Sequence, residues 1–162
     1  MHLLIARILS EFPYLHSPLH VIDKALEIAD LRRDDVFADL GCGDGAVLLR
    51  AAERFRVFSV GFEINPVFVQ IARRRVKSAG LQGLIDIVHS DLFSADLSRL
   101  DVIYIYPSPL IIEKLSNKIL TECRRGTRIL VHDYPLRLMQ PDKVIKLPGG
   151  PVHTHTLYFY HV

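Results

Sequence analysis

A short apolar segment followed by a glycine-rich turn constrains the fold of this chain more than any other feature. Residues 36–40, Val-Phe-Ala-Asp-Leu, have the length and the apolar character of a buried strand. The run Gly41-Cys42-Gly43-Asp44-Gly45 comes next, and residues 46–55 then follow a helical pattern. Three glycines at this spacing are typical of a tight turn, because glycine adopts backbone conformations that other residues rarely adopt. The segment predicts a strand, a turn and a helix at a ligand-binding corner of an α/β sheet.

The acidic residues of this corner indicate which kind of ligand it can bind. Read loosely, Gly41-x-Gly43-x-x-Ala46 also fits the fingerprint of dinucleotide-binding proteins, in which a pyrophosphate lies at the helix N-terminus. Asp39 at the strand end and Asp44 in the turn would each repel a pyrophosphate by about 1 kcal/mol or more at short range. A sulfonium cofactor has no phosphate and carries a cationic amino-acid end, which acidic side chains tolerate. The corner therefore favours a sulfonium cofactor.

Length and composition narrow the class of protein. A chain of 162 residues predicts one domain over residues 1–162, and 49% hydrophobic with 23% charged residues is typical of a globular protein. The formal net charge of +2 gives no strong case for nucleic-acid binding, and two cysteines are too few for a disulfide framework or a zinc site. The apolar residues 1–9 are interrupted by His2 and Arg7 and lack a signal-peptide cleavage site. We therefore expect a cytoplasmic protein without a membrane segment.

Segments with the apolar patterns of strands and helices alternate along the rest of the chain. Further strands are expected at residues 57–62, 84–88, 101–106 and 128–132, and helices at residues 46–55, 66–79 and 110–123. Another helix is expected before the first strand, with Ser17 as its N-cap and Pro18 at its first position. This alternation predicts a parallel sheet with helices on both faces.

The last two expected strands are connected differently from the others. Residues 144–147 and 154–161 are joined only by a turn around Pro148-Gly149-Gly150-Pro151. A connection this short cannot cross over the sheet, so it forces the two strands to be antiparallel. We therefore expect one antiparallel strand near the edge of a mostly parallel sheet.

Polar residues follow the expected strands at the carboxyl edge, where open α/β sheets bind ligands. These candidates are Asp39, Glu63, Asp91, the segment Tyr106-Pro107-Ser108-Pro109, and His132-Asp133. Glu63 is expected to accept hydrogen bonds from two ribose hydroxyls, unless it only caps the next helix. Asp91 is expected to accept from an adenine amine, unless it is a solvated loop acid, and Asp39 to contact a cofactor amino group. Ile64 and Leu92 follow two of these acids and are expected cofactor contacts.

The glycine-rich corner resembles the first motif of the class I S-adenosylmethionine-dependent methyltransferases. The resemblance implies a Rossmann-like α/β fold, with a mostly parallel seven-stranded sheet that has one antiparallel strand and helices on both faces. It implies S-adenosyl-L-methionine as the cofactor and S-adenosyl-L-homocysteine as the product. Gly41 and Gly43 are then cofactor-binding residues, together with Asp39 and Glu63.

Three further segments resemble one group of that class, the small archaeal protein-lysine methyltransferases, which are related to mitochondrial lysine methyltransferases. They are Pro13-Tyr14-Leu15-His16-Ser17-Pro18, Gly126-Thr127-Arg128-Ile129-Leu130-Val131-His132-Asp133-Tyr134 and His155-Thr156-Leu157-Tyr158-Phe159-Tyr160. The resemblance extends from about Phe12 to Val162. It implies that residues 1–17 form a lid, so that Tyr14 and Ser17 contact the cofactor. It also implies protein substrates with exposed lysines, and the short chain predicts an open active site of broad specificity.

The residues after the fourth expected strand bear on the methyl acceptor. Tyr106 and Tyr134 are expected to form a channel for a lysine side chain, because aromatic rings tolerate a methylated ammonium. Enzymes that methylate nucleic-acid bases carry an Asn/Asp-Pro-Pro-aromatic motif where this chain has Tyr106-Pro107-Ser108-Pro109, so the amide or acid acceptor is missing. The run Arg73-Arg74-Arg75 lies within a helix, where its side chains fan around the axis and predict a solvated face. Nucleic-acid binding is therefore not expected.

Other functions stay open at this point. A methyltransferase acting on a nucleic-acid base or a small molecule would share the cofactor site and differ only at the acceptor. A nicotinamide oxidoreductase conflicts with Asp39 and Asp44, and a non-catalytic cofactor-binding subunit and a purely structural domain are the remaining alternatives. His153 and His155 alternate along a strand without an evident carboxylate or thiolate partner, so no metal is expected. The sequence does not indicate the oligomeric state.

Overall fold

The computed structural model of this chain describes residues 16–151 and 153–162. In chain order its elements are α1 (Leu19–Ile28), β1 (Val36–Leu40), α2 (Ala46–Phe55), β2 (Phe58–Glu63), α3 (Pro66–Ser78), β3 (Ile85–His89), β4 (Val102–Ile105), α4 (Ile112–Glu122), β5 (Arg128–His132), β6 (Lys143–Pro148) and β7 (Thr154–His161). Short 3₁₀ helices at Leu92–Ser94 and Pro109–Ile111 precede β4 and α4. Within these two described ranges, no helix is both long enough and apolar enough to cross a membrane.

All seven strands form one sheet in the order β3-β2-β1-β4-β5-β7-β6. The pairs among β1 to β5 are parallel, and β7 is antiparallel to both of its neighbours, β5 and β6. The expected sheet, mostly parallel with one antiparallel strand, is therefore confirmed. The reason is the short turn between β6 and β7, which reverses the chain without a crossover helix.

Two apolar cores lie on opposite faces of this sheet. One face packs against α1, α2 and α3, with Ile22, Leu48 and Val69 among its buried residues. The other packs against α4, where Leu115 and Ile119 are fully buried. Successive residues of a strand point to opposite faces, so β1 contributes side chains to both cores. Both cores therefore hold the end of β1, where the glycine-rich turn begins.

The start of α1 differs from the expectation that Ser17 caps this helix. Pro18 is the residue before the first helical residue, Leu19, and its carbonyl accepts the hydrogen bonds of Val21 and Ile22. The Ser17 hydroxyl is instead 2.8 Å from the Tyr104 hydroxyl, in the interior. The prediction of Ser17 as N-cap was wrong because a buried polar group competes for the same hydroxyl.

Gly61 of β2 offers a test of the packing between the sheet and the glycine-rich turn. A Cβ at this position would lie 2.5 Å from Leu48 Cδ1 and 2.6 Å from Cys42 Sγ, both of them buried atoms. We expect Gly61→Ala to lower the free energy of unfolding by about 1–3 kcal/mol, the usual cost of overpacking. Gly83→Ala is the matched control, because a Cβ there meets nothing within 4 Å. Urea denaturation measures both variants, and equal midpoints would contradict the tight packing at Gly61.

Candidate active site

The glycine-rich turn after β1 is anchored to β2 by backbone hydrogen bonds. The amides of Gly41 and Cys42 both donate to the carbonyl of Phe62, at 2.8 and 3.1 Å. Gly41 and Gly45 have φ angles of 90° and 80°, in the left-handed region that side chains disfavour. The turn can therefore pass close to a ligand, and α2 begins directly behind it.

Two of the three consecutive arginines of α3 hold neighbouring backbone in position. Arg75 donates to the carbonyl of Asp44 at 3.1 Å and pairs with the Asp44 carboxylate. Arg73 donates to the carbonyl of Ile87 in β3 at 2.9 Å. All three arginines are exposed, as expected for a solvated face, and Arg73 and Arg75 bind neighbouring backbone in addition. Their long side chains reach carbonyls that periodicity within one helix does not reveal.

Glu63 lies at the end of β2 and is bonded to the turn. Its two carboxylate oxygens accept hydrogen bonds from the amides of Gly43 and Asn65, both at 2.8 Å. Asn65, and not Glu63, caps α3, because the Asn65 side chain accepts from the Val67 amide. A carboxylate has about four lone-pair sites, so Glu63 retains capacity to accept from a ligand.

The carboxyl ends of β2 and β3 lie side by side, as the sequence predicted for Glu63, Ile64 and Asp91. The carbonyl of Ile64 is 3.0 Å from His89 Nε2, and the carbonyl of Glu63 accepts from the Ser90 amide. Asp91 is exposed and accepts from the Phe93 amide at 2.9 Å, which starts the 3₁₀ helix that contains Leu92. Asp91 is thus more than a solvated loop acid, because it orders this segment.

The electrostatics of the turn favour a cation. Asp39 is buried, and this burial raises the pKa of its carboxyl well above the usual range, with Glu63 and Asp44 raising the pKa further. Burial also raises the pKa of the Cys42 thiol, and the same acids add to that shift. A cation bound here would lower these pKa values, whereas an anion would raise them.

A cleft opens between the glycine-rich turn and the ends of β1 and β4. Its walls are formed by His16, Ser17, Asp39, Gly41, Cys42, Asp44, Ala46, Val47, Tyr104 and Tyr106. Four of the expected site residues, Ser17, Asp39, Gly41 and Tyr106, therefore line one cleft. The expected contact Tyr14 lies outside the described residues.

Tyr106 forms the side of the cleft that faces the end of β5. Its hydroxyl donates to Asp133 Oδ2 at 2.5 Å, and its ring stacks on His132 with 3.7 Å between centroids. Burial raises the pKa of the Tyr106 phenol, and the Asp133 carboxylate and the Tyr134 phenol raise it further. Tyr134 is 37% exposed and follows Asp133 directly. Of the two tyrosines of the expected acceptor channel, Tyr106 lines the cleft, and Tyr134 is not among the lining residues.

A chain of buried polar side chains leads from Tyr104 in the wall of the cleft into the interior. The Tyr104 hydroxyl is 2.9 Å from His132 Nδ1, and His132 Nε2 is 2.8 Å from His155 Nδ1. Burial lowers the pKa of His132 to about 4. Burial opposes ionisation of Asp133, but hydrogen bonds from Tyr106 and the Thr156 amide outweigh it and hold its pKa below the usual range. Sequence reasoning missed Tyr104, because a tyrosine within an apolar strand pattern looks like any core residue.

Known proteins resemble this chain over most of its length. The family model of the ANTKMT methyltransferase domain matches residues 39–143, from the end of β1 to the start of β6. A protein-lysine N-methyltransferase of Saccharolobus islandicus is 36% identical over 149 residues, which cover 91% of this chain and 92% of that protein. The adenine nucleotide translocase lysine N-methyltransferase of Mus musculus is 27% identical over 83% of this chain, which spans 58% of that protein.

A solved structure agrees with the fold. An RNA methyltransferase from Salinibacter ruber in complex with S-adenosyl-L-homocysteine superimposes with a TM-score of 0.85 and is 35% identical, over 91% of this chain and 93% of that chain. The expected class I fold is therefore confirmed. The chain therefore belongs to the ANTKMT methyltransferase domain family and is an S-adenosylmethionine-dependent methyltransferase.

Proposed function

We propose that this enzyme transfers a methyl group from S-adenosylmethionine to the side-chain amine of lysine in protein substrates. The observation that carries this proposal is the 36% identity to the Saccharolobus islandicus protein-lysine N-methyltransferase over nine-tenths of both chains. Tyr106 in the wall of the cleft supports it, because an aromatic ring can hold a cationic side chain. We propose that the exposed Tyr134 completes this acceptor channel. We further propose that the reaction takes place in the cytoplasm.

The cofactor contacts of this proposal follow the polar groups around the turn. Glu63 accepts the ribose hydroxyls, and the acidic environment of Asp39 receives the cationic amino-acid end. Gly41 and Gly43 allow close approach of the backbone. Asp91 accepts from the adenine amine, with Ile64 and Leu92 beside the ring. Ser17, which lines the cleft, contacts the cofactor, and the other expected lid contact, Tyr14, lies outside the described residues.

Methyl transfer to nitrogen is an in-line displacement, so the task of the enzyme is mainly alignment. With the cofactor bound, the lysine nitrogen would attack the methyl carbon while the carbon–sulfur bond breaks, and the electron pair of that bond would stay on sulfur, giving the methylated amine and S-adenosyl-L-homocysteine. Holding two reactants in this geometry supplies about 7–11 kcal/mol of barrier reduction in favourable cases. The amine must first lose a proton, and desolvation beside the cationic sulfonium lowers its pKa from about 10.4. Solvent can take the proton, so no dedicated base is required.

Methylation of RNA is the second candidate, and the 35% identity to the Salinibacter ruber protein favours it. The segment Tyr106-Pro107-Ser108-Pro109 argues against it. Enzymes that methylate the amino groups of bases use an Asn or Asp acceptor at this position, whereas the Tyr106 hydroxyl already donates to Asp133.

A methyl-transfer assay with mixed acceptors separates these two candidates. The purified enzyme is incubated with S-adenosylmethionine labelled in its methyl group and with the protein and RNA fractions of a cell lysate, each prepared separately. We expect label on lysine side chains, located by mass spectrometry, and much less label with the Glu63→Gln variant at a limiting cofactor concentration. Label on RNA alone would overturn the lysine assignment and leave the cofactor site intact.

A further inference from the structure

Four side chains with metal-binding atoms converge where β5 ends beside the start of β7. His132 is the last residue of β5 and Asp133 follows it, while His153 and His155 flank the first residue of β7. The ligand atoms of His132, Asp133 and His155 all lie within 4.8 Å of one another. Spacing along the chain did not reveal this group, because its carboxylate follows β5, whereas two of its histidines lie at the start of β7, about twenty positions later.

The distances within this group suit a tetrahedral ion. His132 Nε2 is 2.8 Å from His155 Nδ1 and 3.6 Å from Asp133 Oδ1. Asp133 Oδ2 is 3.2 Å from His153 Nε2 and 3.8 Å from His155 Nδ1. Tetrahedral zinc with bonds of about 2.1 Å holds its ligand atoms about 3.4 Å apart. The values among His132, Asp133 and His155 fall on both sides of that separation, and the Asp133 carboxylate must turn one oxygen towards the ion. His153 is outside this group of three, and its half-exposed side chain must rotate to join it.

Outer hydrogen bonds already orient two of these ligands. The Tyr104 hydroxyl is 2.9 Å from His132 Nδ1, which leaves Nε2 facing His155 and Asp133. The amide of Thr156 donates to Asp133 Oδ1 at 2.8 Å, and the Tyr106 hydroxyl donates to Oδ2. Metal-binding histidines and carboxylates generally have such outer partners, which fix the ring and the carboxylate in place.

We propose that His132, Asp133, His153 and His155 bind one Zn²⁺ ion with three imidazole nitrogens and one carboxylate oxygen. Imidazole nitrogens are common zinc ligands, and a carboxylate oxygen completes a tetrahedral set of four ligand atoms. The ion replaces the hydrogen bond between His132 and His155. His153 is half exposed and leaves an entry path from solvent. This proposal does not depend on the methyl acceptor.

His20 and the pair His161 and Asp142 do not belong to the proposed site. His20 is near His155, with ring centroids 6.4 Å apart, but His20 Nε2 is 2.6 Å from the carbonyl of Pro148. His161 and Asp142 form an exposed pair at the far end of β7, at 3.0 Å. That pair offers only one imidazole and one carboxylate, so it makes His161→Ala a control on the same strand.

Isothermal titration of tag-free, chelator-treated protein with ZnCl₂ tests the site, and CoCl₂ reports its geometry through the visible absorption of tetrahedral Co²⁺. We expect one equivalent of Zn²⁺ per chain, with binding lost in His155→Ala and weakened in His153→Ala. Removing the outer hydroxyl in Tyr104→Phe should weaken binding about ten- to hundredfold. His161→Ala should bind as tightly as the unchanged protein.

Two results would overturn the proposal. One is the absence of stoichiometric Zn²⁺ binding to the unchanged protein. The other is equal affinity for the unchanged protein and His153→Ala, a variant of a half-exposed side chain that preserves the buried network. Circular dichroism of each variant confirms that it is folded, so a loss of binding by the buried His155→Ala is not mistaken for a loss of structure.

Discussion

Replacing Glu63 by glutamine should weaken S-adenosylmethionine binding about ten- to hundredfold, the range expected for lost hydrogen bonds to a charged group. The carboxylate already accepts from the amides of Gly43 and Asn65, and both bonds need an oxygen acceptor. A glutamine offers one oxygen and one NH₂ group, so one amide loses its acceptor and one ribose hydroxyl loses a charged partner. Isothermal titration with the cofactor measures the change.

The exposed Glu53 of α2 provides the control for this experiment. Glu53→Gln makes the same change in net charge and should leave cofactor affinity unchanged. Thermal unfolding of both variants separates the two roles of Glu63. A lower melting temperature with unchanged affinity would mean that Glu63 only supports the turn, and the proposed ribose contact would be wrong.

Tyr106→Ala should lower kcat/KM for a protein substrate about a hundredfold, because misalignment of the reacting groups by about 1 Å costs this much. The Tyr106 ring stacks on the buried His132. Its removal takes away part of the wall of the cleft and also this stacking contact. Cofactor affinity should change much less, because the proposed ribose contact Glu63 lies at the end of β2, which β1 separates from β4. Steady-state kinetics with varied acceptor concentration, together with cofactor titration, measures both effects.

Conservative variants separate the ring from the hydroxyl. Tyr106→Phe keeps the stacked ring and loses only the hydrogen bond to Asp133. Tyr158→Phe is the control, because Tyr158 packs against the core on the opposite face of the sheet. Full activity of Tyr106→Phe would exclude a role for the hydroxyl, and full activity of Tyr106→Ala and Tyr134→Ala would exclude the aromatic channel.

Local patterns were sufficient to predict the fold. The apolar strand before Gly41 and the alternation of strand and helix patterns led to the parallel sheet, and the short β6–β7 turn led to its antiparallel strand. Each of these features depends on residues that are close in sequence. The prediction of Ser17 as the N-cap of α1 was wrong because the partner of its hydroxyl is distant in sequence. The Ser17 hydroxyl bonds to Tyr104, 87 positions away.

The cofactor side of the site was more predictable than the acceptor side. Asp39, Glu63 and Asp91 each follow a strand, so their shared edge follows from parallel topology alone. The contacts of Tyr106 and His132 instead cross from β4 to β5 and then to β7. Such partners are set by the register between distant strands, which apolar periodicity does not specify.

The position of β7 between β5 and β6 sets the order in which a growing chain can complete this sheet. During synthesis β6 emerges before β7, yet β7 is the only strand with which β6 pairs among those described. The ribosome must therefore release residues 154–161 before β6 has a partner, whereas β1, β2 and β3 can pair much earlier. The hydrogen bond from the Thr156 amide to Asp133 likewise forms only after residue 156 has emerged. A nascent chain can thus acquire a cofactor-binding half while its acceptor half is still unformed, and it exposes an unpaired strand to aggregation in that interval.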